Sequence, residues 1–403
     1  MPPRPRTTAQ PSRSSSFQHR PSHRRLVTAA SDLLCTPGVE EGLDVIAVPA
    51  ARDAGNLRHA AEVAAEAGSV LLVLCSKDAD PGEAYDVVTG GSAPPAVVVL
   101  GVPHGYSLPG LQLEADRSSL VARRTSDTHL KRNLAIAVAH RMGWSRLLFL
   151  DDDVRGFGNK ELDLVRAVLA DRPAGPKAVG WAFDDFPDNS IVCHAHRLAG
   201  GPQKTFIGGG ALAIRVSDDT PHFPRMYNED WLFMLPLMLR GRRELVLAGT
   251  MQQMEYDPFA SPEDADRQEA GDVLAEALFS LLHDDTPWEE AWSQQYWRDV
   301  LTSRRRFIQR IKAALSRRSD AGAARACAAL DRALLMGHTS TSWPGALAKW
   351  VQSWERDTEV WSRWLAGLTP AVSIEQAVDE FGLDLDAYVT PAELVGAGAS
   401  SAG

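Results

Sequence analysis

No stretch of this sequence is apolar over the roughly 18 residues that a membrane-crossing helix needs. The first 25 residues carry no apolar run of the kind found in a secretion signal. The chain is therefore expected to be cytoplasmic, with no integral membrane segment. Cysteine is scarce. The four present (Cys35, Cys75, Cys193 and Cys327) lie far apart, with no CxxC pair. That excludes a disulfide framework and a cysteine zinc site, and it suits a reducing compartment. Positive charge is also short. A net charge of −10 argues against a nucleic-acid partner, because a phosphate backbone calls for a basic surface. There is no internal repeat.

What remains is an ordinary globular composition, 44% apolar over 403 residues. That is enough for a real core and for one large domain plus a smaller one, or two of medium size.

Residues 1–30 read as a disordered basic tail. Up to Arg25 it holds six arginines, no acid and little to bury. A solvated tail is the simpler reading; contact with anionic lipid or RNA is the other. From Asp44 the pattern changes. Val45–Val48, Val70–Leu74, Ala96–Leu100 and Leu147–Leu150 are short apolar runs, as strands buried on both faces require. A helix is expected over 56–67, capped by Asn56 and stopped by Gly68. Another carries Leu130, Leu134, Ala137 and Val138 on one face and ends at Gly143. Alternating strands and helices of this length mean βαβ units.

Asp151-Asp152-Asp153 directly follows the fourth apolar run. Ligands of open α/β sheets bind at the carboxyl ends of strands. Three adjacent carboxylates raise one another's pKa, and a divalent cation with hard oxygen ligands removes that penalty. In extended chain Asp151 and Asp153 face one side and Asp152 the other. A polar loop capping the next helix is the structural alternative.

Lys131-Arg132-Asn133 on one helix, followed by a strand ending in Asp151-Asp152-Asp153, resembles the donor half of family-2-type glycosyltransferases with the GT-A fold. The resemblance implies a Rossmann-like α/β sheet, mixed but mainly parallel, flanked by helices. It implies an enzyme moving a sugar from a nucleotide-diphosphate sugar to a hydroxyl acceptor. By it, Asp151 and Asp153 would hold Mg²⁺ or Mn²⁺, and Arg132, Asn133, Asp151 and Asp152 would lie at the donor.

Two later segments extend the likeness. Gly208-Gly209-Gly210 resembles the glycine strand beside the sugar pocket, where backbone can approach a ligand closely; a bulge is the alternative. Asn228-Glu229-Asp230-Trp231 resembles the acidic pair on the acceptor side, with Asp230 first and Glu229 second as the general base. The same residues also suit a helix start capped by Asn228, and the two readings are compatible. Arg52, after the first run, stands where base contacts begin, or else is a surface arginine. The family places an acid after its second strand. Here the segment is Cys75-Ser76-Lys77-Asp78, and Asp78 would serve from a shifted position.

Cys193-His194-Ala195-His196 invites a metal reading if it is a strand, with both imidazoles on one face; ordinary polar side chains are the plainer reading. Tyr256, Asp257 and His283 are candidates for a third cation ligand or a phosphate contact. The glycosyltransferase region spans 40–263, with a helical region over 264–370 and a short helix and loose tail over 371–403. Eight of the eleven tryptophans lie beyond residue 264, and their three-, four- and seven-residue spacings favour a helix-packing seam over a ligand platform. The helical region would cover the acceptor site or mediate oligomerisation.

Three alternatives fit the sequence less well. A haloacid-dehalogenase-like phosphatase also ends a strand in DxD, but it wants Thr or Val two residues later and its motif opening the domain. A sugar-nucleotide nucleotidyltransferase wants a glycine-rich loop with Arg and Lys after the first strand; here only Gly55 and Arg52 stand there. A non-catalytic sugar-nucleotide-binding protein would have lost the paired acids, and both acidic sites persist.

Overall fold

The computed structural model describes residues 19–33, 42–122, 125–172, 174–187, 189–337 and 341–383. Its strands are β1 (Thr28–Ala29), β2 (Val45–Val48), β3 (Val70–Cys75), β4 (Ala96–Gly101), β5 (Arg146–Leu150), β6 (Val154–Arg155), β7 (Ala178–Phe183), β8 (Ile207–Arg215) and β9 (Leu245–Gln253). The helices are α1 (Arg58–Ala67), α2 (Pro81–Thr89), α3 (Thr128–Met142), α4 (Asn159–Val168), α5 (Ile191–Leu198), α6 (Glu229–Arg240), α7 (Asp264–His283), α8 (Gln294–Leu315), α9 (Ala321–Gly337), α10 (Trp343–Ala366) and α11 (Ile374–Asp379).

The strand order is β1-β9-β7-β8-β5-β2-β3-β4, with β6 attached to β9. β2, β3, β4 and β5 run parallel, while β8 is antiparallel to both β5 and β7. This is the expected fold class: a mixed, mainly parallel sheet flanked by helices, with a helical C-terminal region. The four apolar runs are buried on both faces because each face is covered. One face carries α1, α2 and α4. The other carries α3, α6 and α7 together with parts of α8 and α10.

The change of character at Asp264 is therefore not a break in the core. α7 packs its apolar residues into the same cluster as α3 and α6. The tryptophan stripe is a packing seam: Trp350, Trp354 and Trp361 are buried in that cluster, and Trp361 Nε1 donates to the Thr220 carbonyl at 2.8 Å.

Two boundaries differ from expectation. The helix over 56–67 begins with a 3₁₀ turn at Ala54–Leu57, and Asp53, not Asn56, supplies the cap by accepting from Gly55 N–H at 2.8 Å. Gly68 ends it in the left-handed region, φ 65°. The basic tail expected over 1–30 does not extend over residues 19–30. Residues 1–18 lie outside the described residues, whereas 19–33 belong to the folded body. β1 pairs with β9, Arg20 donates to Pro202 O and Gln203 Oε1, and His23 is buried among Phe206, Trp231 and Phe279. Counting arginines missed this, because His23 and Arg20 are buried with polar partners.

Candidate active site

The sheet itself assembles the site. β5 lies antiparallel to β8 with Leu150 opposite Ala211, so the chain leaving β5 runs alongside the glycines. Asp151 N–H donates to Gly210 O at 2.8 Å. β6 then pairs Val154 with Gln253 at the end of β9, which brings Gln253 Nε2 to within 3.2 Å of Asp153 Oδ2. Acids, glycine strand and β9 terminus thus meet at one edge of the sheet.

A cavity of about 340 Å³ opens there. Of the residues singled out in the sequence, Arg52, Arg132, Asp151, Asp153, Gly208, Glu229 and Asp230 line it. Gly209 and Gly210 shape it through backbone. Gly209 N–H donates to Asp230 Oδ2 at 2.7 Å. A Cβ on Gly209 would come within 2.5 Å of Arg132 Nη1, and one on Gly210 within 3.2 Å of Asp151 Oδ2. The glycines are there so that charged side chains can lie directly on the strand.

Arg132 is the hub. It projects from α3, is buried, and stands 5.4 Å from the Phe223 ring centre. Its Nη2 donates to both oxygens of Asp151, at 3.0 and 2.9 Å, and its Nη1 approaches Glu229 Oε1 at 3.5 Å. Burial opposes its charge, but Asp151, Glu229 and Asp230 more than offset this and hold its pKa above the ordinary value. Arg132 therefore links the strand-end acids to the acids opening α6.

Asp230 is pushed up to about 6, by burial first and by Glu229 next; Arg132 and the N–H groups of Gly209 and Trp231 pull the other way. Burial likewise raises Asp152 and Asp153, and neighbouring carboxylates add to it. Arg52 bridges the two: its Nη1 pairs with Asp152 and its Nη2 donates to Asp153 Oδ2 at 3.0 Å. Lys131 Nζ, entirely buried, fixes the loop carrying Arg52 by donating to Ala50 O at 2.6 Å.

Three of the expected residues are placed differently. Asp152 is buried and faces away from the cavity, with Arg52 as its partner. Asn133 also stays out of it. Its side chain clamps Phe223, donating to Phe223 O and accepting from Phe223 N–H, both at 2.8 Å, and so anchors the segment leading to Glu229. Asp78 is exposed on the turn after β3 and does not line the cavity; Asp80, two residues on, caps α2.

Asn228 precedes α6 but does not cap it through its side chain. It sits in the left-handed region, φ 60°, and its Nδ2 donates to Asp272 Oδ1 at 3.1 Å. The Cys193–His196 segment is helical, within α5, so its two imidazoles do not share a face. His194 packs against Phe186 and Tyr256. Asp257 pairs with Arg325, and His283 lies at the end of α7; neither they nor Tyr256 line the cavity.

Behind the cavity, Cys193, Asp272 and Glu276 bring ligand atoms within 4.8 Å of one another. Arg304 already fills that space. It donates to Asp272 Oδ2 at 2.6 Å, to Glu276 Oε2 at 3.1 Å and to both oxygens of Glu269.

Several lining residues were not found from sequence: Thr125, Ser126 and Thr128 at the start of α3, Gln253 at the end of β9, and Arg267 and Gln268 on α7. The first group had a signal, a cluster of hydroxyls at the start of the helix that carries Arg132. The α7 pair had none, because an exposed Arg-Gln step on a helix looks like solvated surface.

No protein-family model and no curated protein matches the chain. Solved structures similar to it include S. aureus TarS 1–349 in complex with UDP-GlcNAc, at 14% identity over 73% of this chain and 89% of that one, TM-score 0.33. Another is the galactosyltransferase LgtC in complex with donor and acceptor sugar analogs, at 14% identity over 62% of this chain and 99% of that one, TM-score 0.26. No helix among the described residues is long and apolar enough to cross a membrane.

Proposed function

We propose that the protein is a glycosyltransferase that moves a sugar from a nucleotide-diphosphate sugar to a hydroxyl acceptor. One observation carries the reading. A single cavity is lined by the strand-end acids Asp151 and Asp153, by the glycine strand at Gly208, and by Glu229 and Asp230 at the start of α6. Those are the three segments on which the family-2 resemblance rests.

Carboxylate oxygens with raised pKa values fit a hard divalent cation, and Arg52 already supplies positive charge to Asp152 and Asp153. Asp153, with Asp151 beside it, would hold Mg²⁺ or Mn²⁺. Bound there, the ion would offset the charge of the diphosphate leaving group. Arg132 orients Asp151 by donating to both of its oxygens.

Asp230 is the proposed base, with Glu229 as second choice. A carboxyl with a pKa near 6 is ionised at neutral pH yet basic enough to accept a proton. In an inverting course the acceptor oxygen bonds to the anomeric carbon as the carbon–phosphate oxygen bond breaks. The hydroxyl proton passes to Asp230, and the nucleoside diphosphate departs. Gln203, Arg267 and Gln268, on the α7 side of the cavity, would then face the acceptor. The phosphatase alternative needs Asp151 as a nucleophile, and both Asp151 oxygens accept from Arg132.

The test is calorimetric titration of a panel of nucleotide-sugars, with and without Mn²⁺, into wild type and Asp153→Ala. Tight binding of one donor that needs both Mn²⁺ and Asp153 is the expected outcome. A folded protein that binds no donor overturns the proposal.

A further inference from the structure

The chain is acidic overall, yet α8 and the residues just after it are strongly basic. Between Gln294 and Arg318 there are eight basic residues and one acid, Asp299, in a chain of net charge −10. The buried side of α8 explains part of this. Trp297, Ile308 and Leu315 face the core, and Arg304 meets Glu269, Asp272 and Glu276 there. Lys312 pairs with Asp331, and Arg318 with Asp320.

Arg298 donates to the side-chain oxygens of Gln295 and Gln294. Arg305, Arg306, Arg310 and Arg317 are left over; all four are exposed, and none pairs with a carboxylate among the described residues. Arg306 and Arg310, four residues apart, share one side of α8, and Arg317 follows in the turn just past its end at Leu315. Along the helix Arg306 and Arg310 are about 6 Å apart, at 1.5 Å per residue. Holding like charges in a row costs free energy unless something anionic offsets it.

The N-terminal segment cannot supply that anion. It reaches α8 at His19, whose ring stacks on Phe307 at 4.4 Å and whose Nε2 lies 3.1 Å from Ser303 Oγ. The residues before His19 include Arg4, Arg6 and Arg13 and no acid.

We propose that the exposed face of α8 docks the protein on an anionic lipid surface, its guanidinium groups pairing with phospholipid headgroups. A patch of exposed guanidinium groups along α8 and the turn after it suits a flat, negatively charged plane. Binding of single-stranded nucleic acid usually adds aromatic side chains on which bases stack, and this face has none. Phe307 and Trp297, the aromatic residues on the inner turns of α8, are buried. Near an anionic leaflet each cationic side chain multiplies partitioning by about fivefold. The interaction weakens with salt, because the Debye length is about 10 Å at 0.1 M.

The experiment is co-sedimentation of the full chain with large vesicles at low salt. One set is phosphatidylcholine alone, the other phosphatidylcholine with a quarter phosphatidylglycerol. The test variant is Arg306→Glu, Arg310→Glu and Arg317→Glu combined. A control with the same change in net charge reverses exposed residues elsewhere: Arg58→Glu, Lys349→Glu and Arg363→Glu. We expect wild type and control to bind the anionic vesicles only, and the α8 variant to lose at least fiftyfold in partition coefficient. Equal binding by the two variants overturns the assignment to α8. So does an absence of vesicle binding by wild type. Retention of poly(U), with no vesicle binding, also overturns it and makes the face a nucleic-acid contact instead.

Discussion

Arg132 Nη2 lies 3.0 and 2.9 Å from the two carboxylate oxygens of Asp151, and this contact joins α3 to the end of β5. A buried guanidinium in that position does two things. It sets a positive charge against Asp151, and it fixes where that carboxylate points.

Replacing Arg132 separates these roles. Arg132→Lys keeps the charge but loses the planar fork that reaches both Asp151 and Glu229. We expect a folded protein with transfer activity reduced at least a hundredfold. Arg132→Met leaves buried carboxylates without a partner and should cost about 3–5 kcal/mol of stability. Urea denaturation of both variants, alongside donor turnover, checks the pair. Lys activity within threefold of wild type would remove Arg132 from its hub role.

The raised pKa of Asp230 has a defined pH signature. Its native value, about 6, lies above its ordinary 3.8, so the native state binds more protons than the unfolded chain between those limits. Its contribution to stability therefore declines as pH rises from about 4 to about 6. Asp272, also pushed up to about 6, has the same sign. Glu276, held at about 2 by Arg304 against the cost of burial, has the opposite sign, and its contribution is lost as pH falls below about 4.5. In Asp230→Asn the decline between pH 4.5 and 6 should flatten by up to about 1.4 kcal/mol per pH unit, one proton's worth. Urea unfolding at several pH values measures it, and an unchanged slope would place Asp230's proton elsewhere. Wild-type turnover should fall below pH 6 as Asp230 takes up a proton.

Much of this was legible beforehand because it rests on short-range rules. Four apolar runs of strand length, with helices between them, specify a covered parallel sheet. Asp151–Asp153 lay at a strand end, where sheets bind ligands. What stayed hidden depends on long-range pairing. That Gln253 reaches Asp153 follows from β6 pairing with β9. That α7 lines the cavity follows from its packing beside α6, 35 residues on from Glu229 at its first residue, Asp264. Asn133 and Asp78 were misplaced for a related reason. Adjacency in sequence put them near the site, while helix phase turned Asn133 to Phe223 and a turn carried Asp78 into solvent.

Gly209 offers a test of the close approach. A methyl group there would sit 2.5 Å from Arg132 Nη1 and 2.8 Å from Asp230 Cβ. Neither neighbour can move without breaking a buried charge-assisted bond. We expect Gly209→Ala to cost about 1–3 kcal/mol and at least tenfold in turnover. Gly241→Ala, which meets nothing within 4 Å, is the control. Equal behaviour of the two in melting and turnover would show that the strand does not need its glycine.

The last prediction concerns how the helical region supports the acids. Asp272 Oδ2 accepts from Arg304 at 2.6 Å and from Ser190 Oγ at 2.5 Å, and its Oδ1 accepts from Asn228. Gly271 lets α7 lie against the backbone just before Asn228, since a Cβ there would fall 2.1 Å from Tyr227 O. Asn228 is thereby anchored in a left-handed conformation one residue before Glu229. Arg304→Met strips the partner from three buried carboxylates and should cost about 3–5 kcal/mol. Asp272→Asn is gentler, because it keeps an oxygen for Asn228 while Arg304 retains Glu269 and Glu276. Asp272→Leu removes that oxygen. If the anchor matters to the acids, Asp272→Leu should lower turnover at saturating donor at least tenfold, with donor affinity held within threefold, and Asp272→Asn should recover most of the loss. Donor affinity is the discriminating measurement, since Asp151 and Asp153 follow β5 and make no side-chain bond to α7. A parallel fall in affinity and turnover for Asp272→Leu would mean that the network supports the whole fold and not the orientation of Glu229 and Asp230.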